Sequence, residues 1–107
     1  MTKPSILIYV SKPNKELLKE ICAGIEEEGV YCEVIYKEND DINSLSYGSS
    51  NESILGTGIG MCGSKMSLSL SALPKGQQIF NIEEPSSSQA RNLGANAARA
   101  VKRKAFK

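Results

Sequence analysis

Three glycines in the segment GIGMCGSK have the spacing of a nucleotide-binding loop. Gly58, Gly60 and Gly63 spell G-x-G-x-x-G, a pattern that brings a pyrophosphate against a helix N-terminus in dinucleotide-binding proteins. Such a loop must follow a strand and precede a helix. Here the residues after Gly63 read SKMSLSLS, and this alternation is typical of a half-buried strand. The pattern therefore favours a hairpin turn from Gly60 to Gly63, between antiparallel strands, over a phosphate-binding loop.

An acidic cluster, Glu26–Glu28, ends the first predicted helix within the segment GIEEEG. The helix dipole disfavours a carboxylate there by a few tenths to about 1 kcal/mol, so the cluster could serve a cation or a basic partner. Helical spacing of about 100° per residue places Glu27 farthest from the apolar stripe, in line with Glu16 and Glu20. A solvated acidic face explains the same pattern, and periodicity by itself favours that simpler interpretation.

The last predicted helix lies in SSSQARNLGANAARAVKRK and has two different faces. The inward stripe consists mostly of small side chains, which predicts close packing on the sheet: Ala90, Leu93, Gly94, Ala97 and Val101. The opposite face is polar: Asn92, Asn96, Arg99 and Arg103. Because asparagine is a poor helix former, Asn92 and Asn96 indicate a hydrogen-bonding surface, with a solvated face as the alternative.

The types of residue that the sequence lacks narrow its function. The 107 residues include no histidine, so neither a serine or cysteine triad nor a histidine-ligated metal is expected. Three scattered cysteines without a C-x-x-C pair predict reduced thiols, with Cys22 and Cys32 as small core side chains. A net charge of +1 and a short apolar start favour neither nucleic acid nor membrane as a partner. We expect one cytoplasmic domain over residues 1–107 that is not an enzyme by itself.

Alternating strands and helices must position these residues. Strands are predicted at Ser5–Val10, Val30–Tyr36, Ile54–Ile59, Met66–Ser71 and Gln78–Ile82. A first helix contains Pro13 in its first turn and ends at Gly29, and the last runs from a cap within Ser86–Ser88 to about Arg103. Between them, Ile42–Tyr47 is either a short helix capped by Asp40 or Asp41 or a loop. The opening strand, helix and strand predict a βαβ unit with parallel neighbouring strands.

Two blocks of the sequence carry a resemblance to a known family. GIEEEGVYCEVI and ARNLGANAARAVK, near the two ends of the chain, resemble the small subunit of the diol/glycerol dehydratase reactivating factor. The segment GIGM…ALPKGQQIF is similar in layout, so the likeness extends from Ile6 to Lys102. The Lys37–Ser53 segment and the KRKAFK tail contribute little to it. The resemblance implies a three-layer α/β/α fold, with a mixed five-stranded sheet of order 2-1-3-4-5 and strand 4 antiparallel.

The same resemblance implies a function without catalysis in this chain. In that family a large actin-like ATPase subunit and the small subunit release damaged adenosylcobalamin from a glycerol or diol dehydratase. The small subunit resembles the dehydratase's own medium subunit and exchanges with it, and ATP binding by the large subunit resets the complex. The implied partners are the large subunit, in a heterotetramer that binds ATP or ADP there, and the dehydratase. Whether the complex sits inside a bacterial microcompartment is left open.

One glutamate acquires a specific role from the resemblance. In the family, the second glutamate of the GIEEEG block joins ligands of the large subunit around Mg²⁺ at the subunit interface, and Glu27 occupies that position here. Because a single carboxylate cannot bind Mg²⁺ tightly, the partner must complete the site. The polar face of the last helix, with Asn92, Asn96 and Arg99, is a second expected contact with the partner.

Three other functions remain open on the sequence alone. One is the medium-type subunit of the dehydratase itself, which is usually considerably longer than 107 residues. Another is a small RNA-binding module, since anticodon-binding domains share this topology; salt-dependent RNA binding would support it. The third is a nucleotide-using enzyme, which measurable NAD or ATP binding by the lone chain would support.

Overall fold

A computed structural model describes residues 3–107 as five strands and three helices. The strands are β1 (Ile6–Ser11), β2 (Cys32–Tyr36), β3 (Thr57–Cys62), β4 (Lys65–Leu70) and β5 (Phe80–Ile82). The helices are α1 (Lys15–Glu27), α2 (Ile42–Glu52) and α3 (Ser87–Lys102). The helices described between residues 3 and 107 are too short or too polar to cross a membrane.

The five strands form one mixed sheet in the order β2-β1-β3-β4-β5. β1 pairs with β2 and β3 in parallel, whereas β4 pairs with β3 and β5 in antiparallel orientation. Helices α1 and α3 cover one face of the sheet and α2 covers the other. Ile6, Ile8 and Val10 of β1 lie fully buried under α1 and α3. The three-layer fold, the strand order and the antiparallel fourth strand are confirmed.

The hairpin between β3 and β4 is confirmed, but it is shorter than predicted. The turn contains only Gly63 and Ser64, because Cys62 pairs with Lys65. Gly63 has φ +61°, a left-handed conformation that glycine adopts without a steric cost. Gly60 lies inside β3 and pairs with Ser67, so the prediction that it forms part of the turn was wrong. The third strand begins and ends three residues later than predicted.

Gly58 and Gly60 instead let α2 lie directly on the sheet. A Cβ atom at Gly58 would lie 2.3 Å from the backbone nitrogen of Ser50, and one at Gly60 would lie 2.5 Å from that of Ser46. Two of the three glycines in the G-x-G-x-x-G pattern therefore serve the packing of a helix. The structure excludes a phosphate at this position, because α2 fills the space.

The segment that was predicted as a short helix or a loop is the three-turn helix α2. The side chain of Asp41 caps it by accepting a hydrogen bond from the backbone N–H of Asn43. Its buried face has one large apolar residue, Leu45, and otherwise small ones: Ser46, Ser49 and Ser50. The three serine hydroxyls donate to carbonyl oxygens of α2 itself, which permits their burial. Sequence patterning underestimated this helix because serine and glycine are weak helix formers.

The small side chains of α3 serve a contact with α1 more than one with the sheet. A Cβ atom at Gly94 would lie 2.1 Å from the carbonyl oxygen of Ile21, and one at Gly24 would lie 2.1 Å from that of Arg91. The two helices thus touch backbone to backbone. The stripe that was predicted to pack on the sheet therefore fixes how α3 sits against α1, which decides the pairs of charged residues that meet.

Cys22 and Cys32 pack against the core, as predicted from their types. Both side chains are partly buried and both thiols are free. A hydrogen bond with Cys22, reinforced by burial, raises the pKa of Cys32. The neutral thiol of Cys32 is therefore the favoured form at physiological pH.

Candidate subunit interface

The acidic end of α1 lies against α3, and Arg91 of α3 joins two of its carboxylates. Nη1 of Arg91 lies 3.0 Å from Oε1 of Glu27, and its Nε and Nη2 each lie 2.8 Å from Oε1 of Glu20. The hydrogen bonds that Arg91 donates to Glu27 and then to Glu20 raise the pKa of Arg91. The acidic stripe is therefore partly neutralised within the chain.

Glu27 is the more accessible of these two carboxylates. Its side chain is 60% exposed, compared with 30% for Glu20. The placement of Glu27 on the outside of α1 is confirmed by this exposure, but its ion pair with Arg91 was not predicted. The periodicity of one helix does not show how α1 and α3 align with each other. The close contacts at Gly24 and Gly94 set that alignment.

A second group of charges surrounds Glu28, which follows the last residue of α1. Oε2 of Glu28 lies 3.2 Å from Nη2 of Arg99, and Oε1 lies 3.7 Å from Nζ of Lys102. Lys102 also donates a hydrogen bond to the backbone carbonyl of Glu28. Partial burial raises the pKa of Glu28, but the hydrogen bond and charge of Arg99 and the charge of Lys102 outweigh it and lower the pKa.

The lowered pKa of Glu28 predicts a pH-dependent contribution to stability. A carboxyl group whose pKa is lower in the folded state stabilises the fold above its unfolded pKa and loses that effect as the pH falls through the folded value. We expect Glu28→Gln to be less stable than the wild type at pH 7, and the difference to shrink below about pH 4.5, the ordinary pKa. Urea unfolding between pH 7 and pH 3 measures it, and a constant difference across this range would contradict the assignment.

The other predicted contact residues occupy different environments. Asn92 is exposed, and Arg99 is half-buried by its pair with Glu28. Asn96 is only 4% exposed, so it is covered within this chain, which the polar face of α3 did not predict. Its Oδ1 accepts a hydrogen bond from the backbone N–H of Lys107, at 2.8 Å.

The C-terminal tail explains why Asn96 is buried. Residues 104–107 fold back over α3 and β5, and the ring of Phe106 packs edge-on against Phe80 with centroids 5.4 Å apart. Nη1 of Arg99 donates to the carbonyl of Ala105. The pattern of apolar residues along α3 could not predict that the tail covers Asn96, since α3 is packed against α1, the sheet and the tail.

The end of α1 presents an exposed carboxylate that could serve as a metal ligand. A hard divalent cation prefers carboxylate oxygens, and Glu27 offers one on an exposed side chain whose Oε1 is already bonded to Arg91. Between residues 3 and 107, no three cysteine, aspartate or glutamate side chains cluster closely enough to hold an ion. Glu27 offers a single carboxylate, and one carboxylate does not bind a divalent cation tightly.

The groove at the start of α1 and α3 does not resemble a phosphate site. It encloses about 650 Å³ and contains Lys65 together with three carboxylates, Glu16, Glu83 and Glu84. Carboxylates repel a phosphate, and the dipoles of two helix N-termini offset only part of that repulsion. The geometry of this groove gives no support to the nucleotide-using enzyme.

Comparison with known proteins identifies the family. The family model described as the dehydratase medium subunit matches residues 3–107, and the chain therefore belongs to that family. Among curated relatives, the propanediol dehydratase-reactivating factor small subunit of Salmonella typhimurium strain LT2 is 33% identical over 100 residues, covering 92% of this chain and 86% of the relative. The corresponding small subunit of Citrobacter freundii is 28% identical over 103 residues, covering 95% and 89%.

Solved structures with the same fold agree with these relatives. A chain of diol dehydratase-reactivating factor, complexed with ADP and Mg²⁺, superposes with a TM-score of 0.92 at 28% identity over 99% of both chains. A chain of a glycerol dehydratase reactivase gives a TM-score of 0.93 at 27% identity, over 98% of this chain and 97% of that one. The resemblance found in the two sequence blocks is confirmed along the whole described chain.

Proposed function

We propose that this chain is the small subunit of an ATP-dependent reactivating factor for an adenosylcobalamin-dependent glycerol or diol dehydratase. The observation that carries this proposal is the superposition on a reactivating-factor chain over 99% of both lengths. The two curated relatives, both small subunits of reactivating factors, support the same role. The chain itself would catalyse nothing, and ATP would be bound and hydrolysed by a large actin-like subunit.

The mechanism that we propose is an exchange of subunits. Because the chain belongs to the dehydratase medium-subunit family, it can present to the dehydratase a surface that resembles that of the medium subunit. Its displacement of the medium subunit would open the dehydratase and let damaged cobalamin leave, and ATP binding by the large subunit would reset the complex. This would take place in the cytoplasm, or in a bacterial microcompartment that holds the dehydratase.

We propose that Glu27 provides this chain's ligand to a Mg²⁺ ion shared with the large subunit in a heterotetramer. The exposure of Glu27 at the end of α1 supports this role, as does the Mg²⁺ in the related complex. The metal would then link the two subunits through ligands from both. Asn92 and Arg99 are proposed as further contacts, whereas Asn96 becomes accessible only when Lys107 leaves it.

Reactivation of a damaged dehydratase tests the proposed function. A dehydratase inactivated by glycerol should regain activity when this chain, a large ATPase subunit, ATP, Mg²⁺ and fresh adenosylcobalamin are added together. Leaving out this chain should reduce the recovery to the background rate. Recovery of the same size without this chain would contradict the proposal.

The same components distinguish the alternative functions. A medium-type dehydratase subunit would instead restore a dehydratase that lacks its medium subunit, with no need for ATP. An RNA-binding module would bind RNA with an affinity that falls steeply with salt concentration. Only the description of the family favours the medium-type subunit. The two curated relatives are small subunits of reactivating factors, and they favour the reactivating factor over the medium-type subunit.

A further inference from the structure

Arg91 holds the carboxylate that is proposed to bind the metal. Its Nε and Nη2 both contact Oε1 of Glu20 at 2.8 Å, and Nη1 reaches Oε1 of Glu27 at 3.0 Å. The guanidinium thus makes two contacts with the less exposed glutamate and one with the more exposed glutamate. The bond to Glu27 can break while Arg91 stays attached to Glu20.

We infer that Arg91 pairs with the carboxylate of Glu27 in the free subunit and competes with the metal ion for that carboxylate. This inference rests on the proposed function, in which Glu27 is a ligand of a shared Mg²⁺. A permanent positive charge beside a carboxylate lowers the affinity of that carboxylate for a divalent cation. Glu27 would therefore bind a metal ion tightly only when the partner supplies the remaining ligands, and the lone subunit would bind cations only weakly.

An orienting role for Arg91 would have the opposite sign. Hydrogen bonds that orient a metal ligand commonly strengthen a metal site, and Arg91 restricts the movement of Glu27. By orienting Glu27, Arg91 saves only the entropy cost of fixing one exposed side chain. The positive charge of Arg91, in contrast, repels the doubly charged metal ion. We therefore expect the competition to outweigh the orientation.

The lone chain allows a direct test with Mn²⁺, a paramagnetic substitute for Mg²⁺. In the Arg91→Gln variant, Mn²⁺ should broaden the amide NMR signals of residues 24–29 at concentrations about fivefold to tenfold lower than in the wild type. Arg91→Lys keeps the charge but cannot reproduce the forked contacts with both glutamates, so its response should fall between those of the wild type and Arg91→Gln. Adding Glu27→Ala to Arg91→Gln should abolish the effect.

Arg99→Gln is the matched control for Arg91→Gln. It also removes an arginine that pairs α3 with the end of α1, but its partner is Glu28, which Lys102 still neutralises. The Mn²⁺ response of this variant should equal that of the wild type. An Arg91→Gln variant that responds like the wild type, or only at higher Mn²⁺ concentrations, would overturn the inference.

Assembly with the large subunit separates this inference from the proposed function. Arg91→Gln should lower the Mg²⁺ concentration for half-maximal assembly by about fivefold to tenfold relative to the wild type. Assembly of the wild type that ignores Mg²⁺ would overturn the proposed metal site and this inference together. Mg²⁺-dependent assembly with the same midpoint in Arg91→Gln would overturn only the inference.

Discussion

Replacing Gly94 by alanine is expected to destabilise the fold by about 2–3 kcal/mol. The added Cβ would lie 2.1 Å from the carbonyl oxygen of Ile21, so α3 must move away from α1 or both helices must bend. Alanine is the better helix former by about 1 kcal/mol, and the steric conflict with the backbone exceeds this gain. The free energy of unfolding in urea, compared with that of the wild type, measures the effect.

Gly48→Ala is the matched control for this substitution. Gly48 also lies inside a helix, but a Cβ there would sit 3.5 Å from the ring of Tyr9, which is an ordinary contact distance. This variant should be as stable as the wild type or more stable by up to about 1 kcal/mol. If Gly94→Ala were as stable as Gly48→Ala, the backbone contact between α1 and α3 would not be the constraint described above.

Replacing Glu27 by alanine is expected to weaken assembly with the large subunit more than tenfold in Mg²⁺. The substitution removes this chain's proposed metal ligand, and tenfold corresponds to about 1.4 kcal/mol. The isolated chain should keep its stability within about 1 kcal/mol, since only an exposed ion pair is lost. Sedimentation or calorimetry with the purified large subunit measures the affinity.

Glu26→Ala serves as the control for charge in the assembly experiment. Glu26 is exposed and adjacent to Glu27 in α1, so its removal changes the net charge equally without removing the proposed ligand. Its affinity for the large subunit should stay within a few-fold of the wild-type value. Equal losses of affinity in Glu26→Ala and Glu27→Ala would assign the effect to overall charge. A Glu27→Ala variant that binds the large subunit as tightly as the wild type would show that Glu27 is not part of the interface.

The sheet was predictable because its signals are local. The apolar run in β1 and the alternation in β4 each predict a strand, and Gly63 supplies the turn between β3 and β4. The extent of α2 was not predictable in this way. Its stability depends on Gly58 and Gly60, which are distant in sequence and clear the space that its serines occupy.

The candidate interface was predictable in part for a similar reason. The outward position of Glu27 follows from the periodicity of α1 alone. Its pairing with Arg91, 64 residues further along the chain, depends on the register between α1 and α3. The burial of Asn96 depends on a tail that covers α3. Partner contacts depend on a second chain, so the roles of Glu27, Asn92 and Arg99 stay predictions.

Two main-chain hydrogen bonds join the loop after β1 to the hairpin after β3. The amide of Asn14 donates to the carbonyl of Gly63 at 2.8 Å, and the amide of Gly63 donates to that of Ser11 at 3.2 Å. In doubly wound folds, the cleft at this reversal of strand order is where small ligands usually settle. Here the two bonds join the loops on either side of that reversal, and the space beside them is the acidic groove lined by Glu16, Glu83 and Glu84. A small molecule aimed at this edge of the sheet would therefore meet carboxylates, which favours a cationic compound over a phosphate analogue.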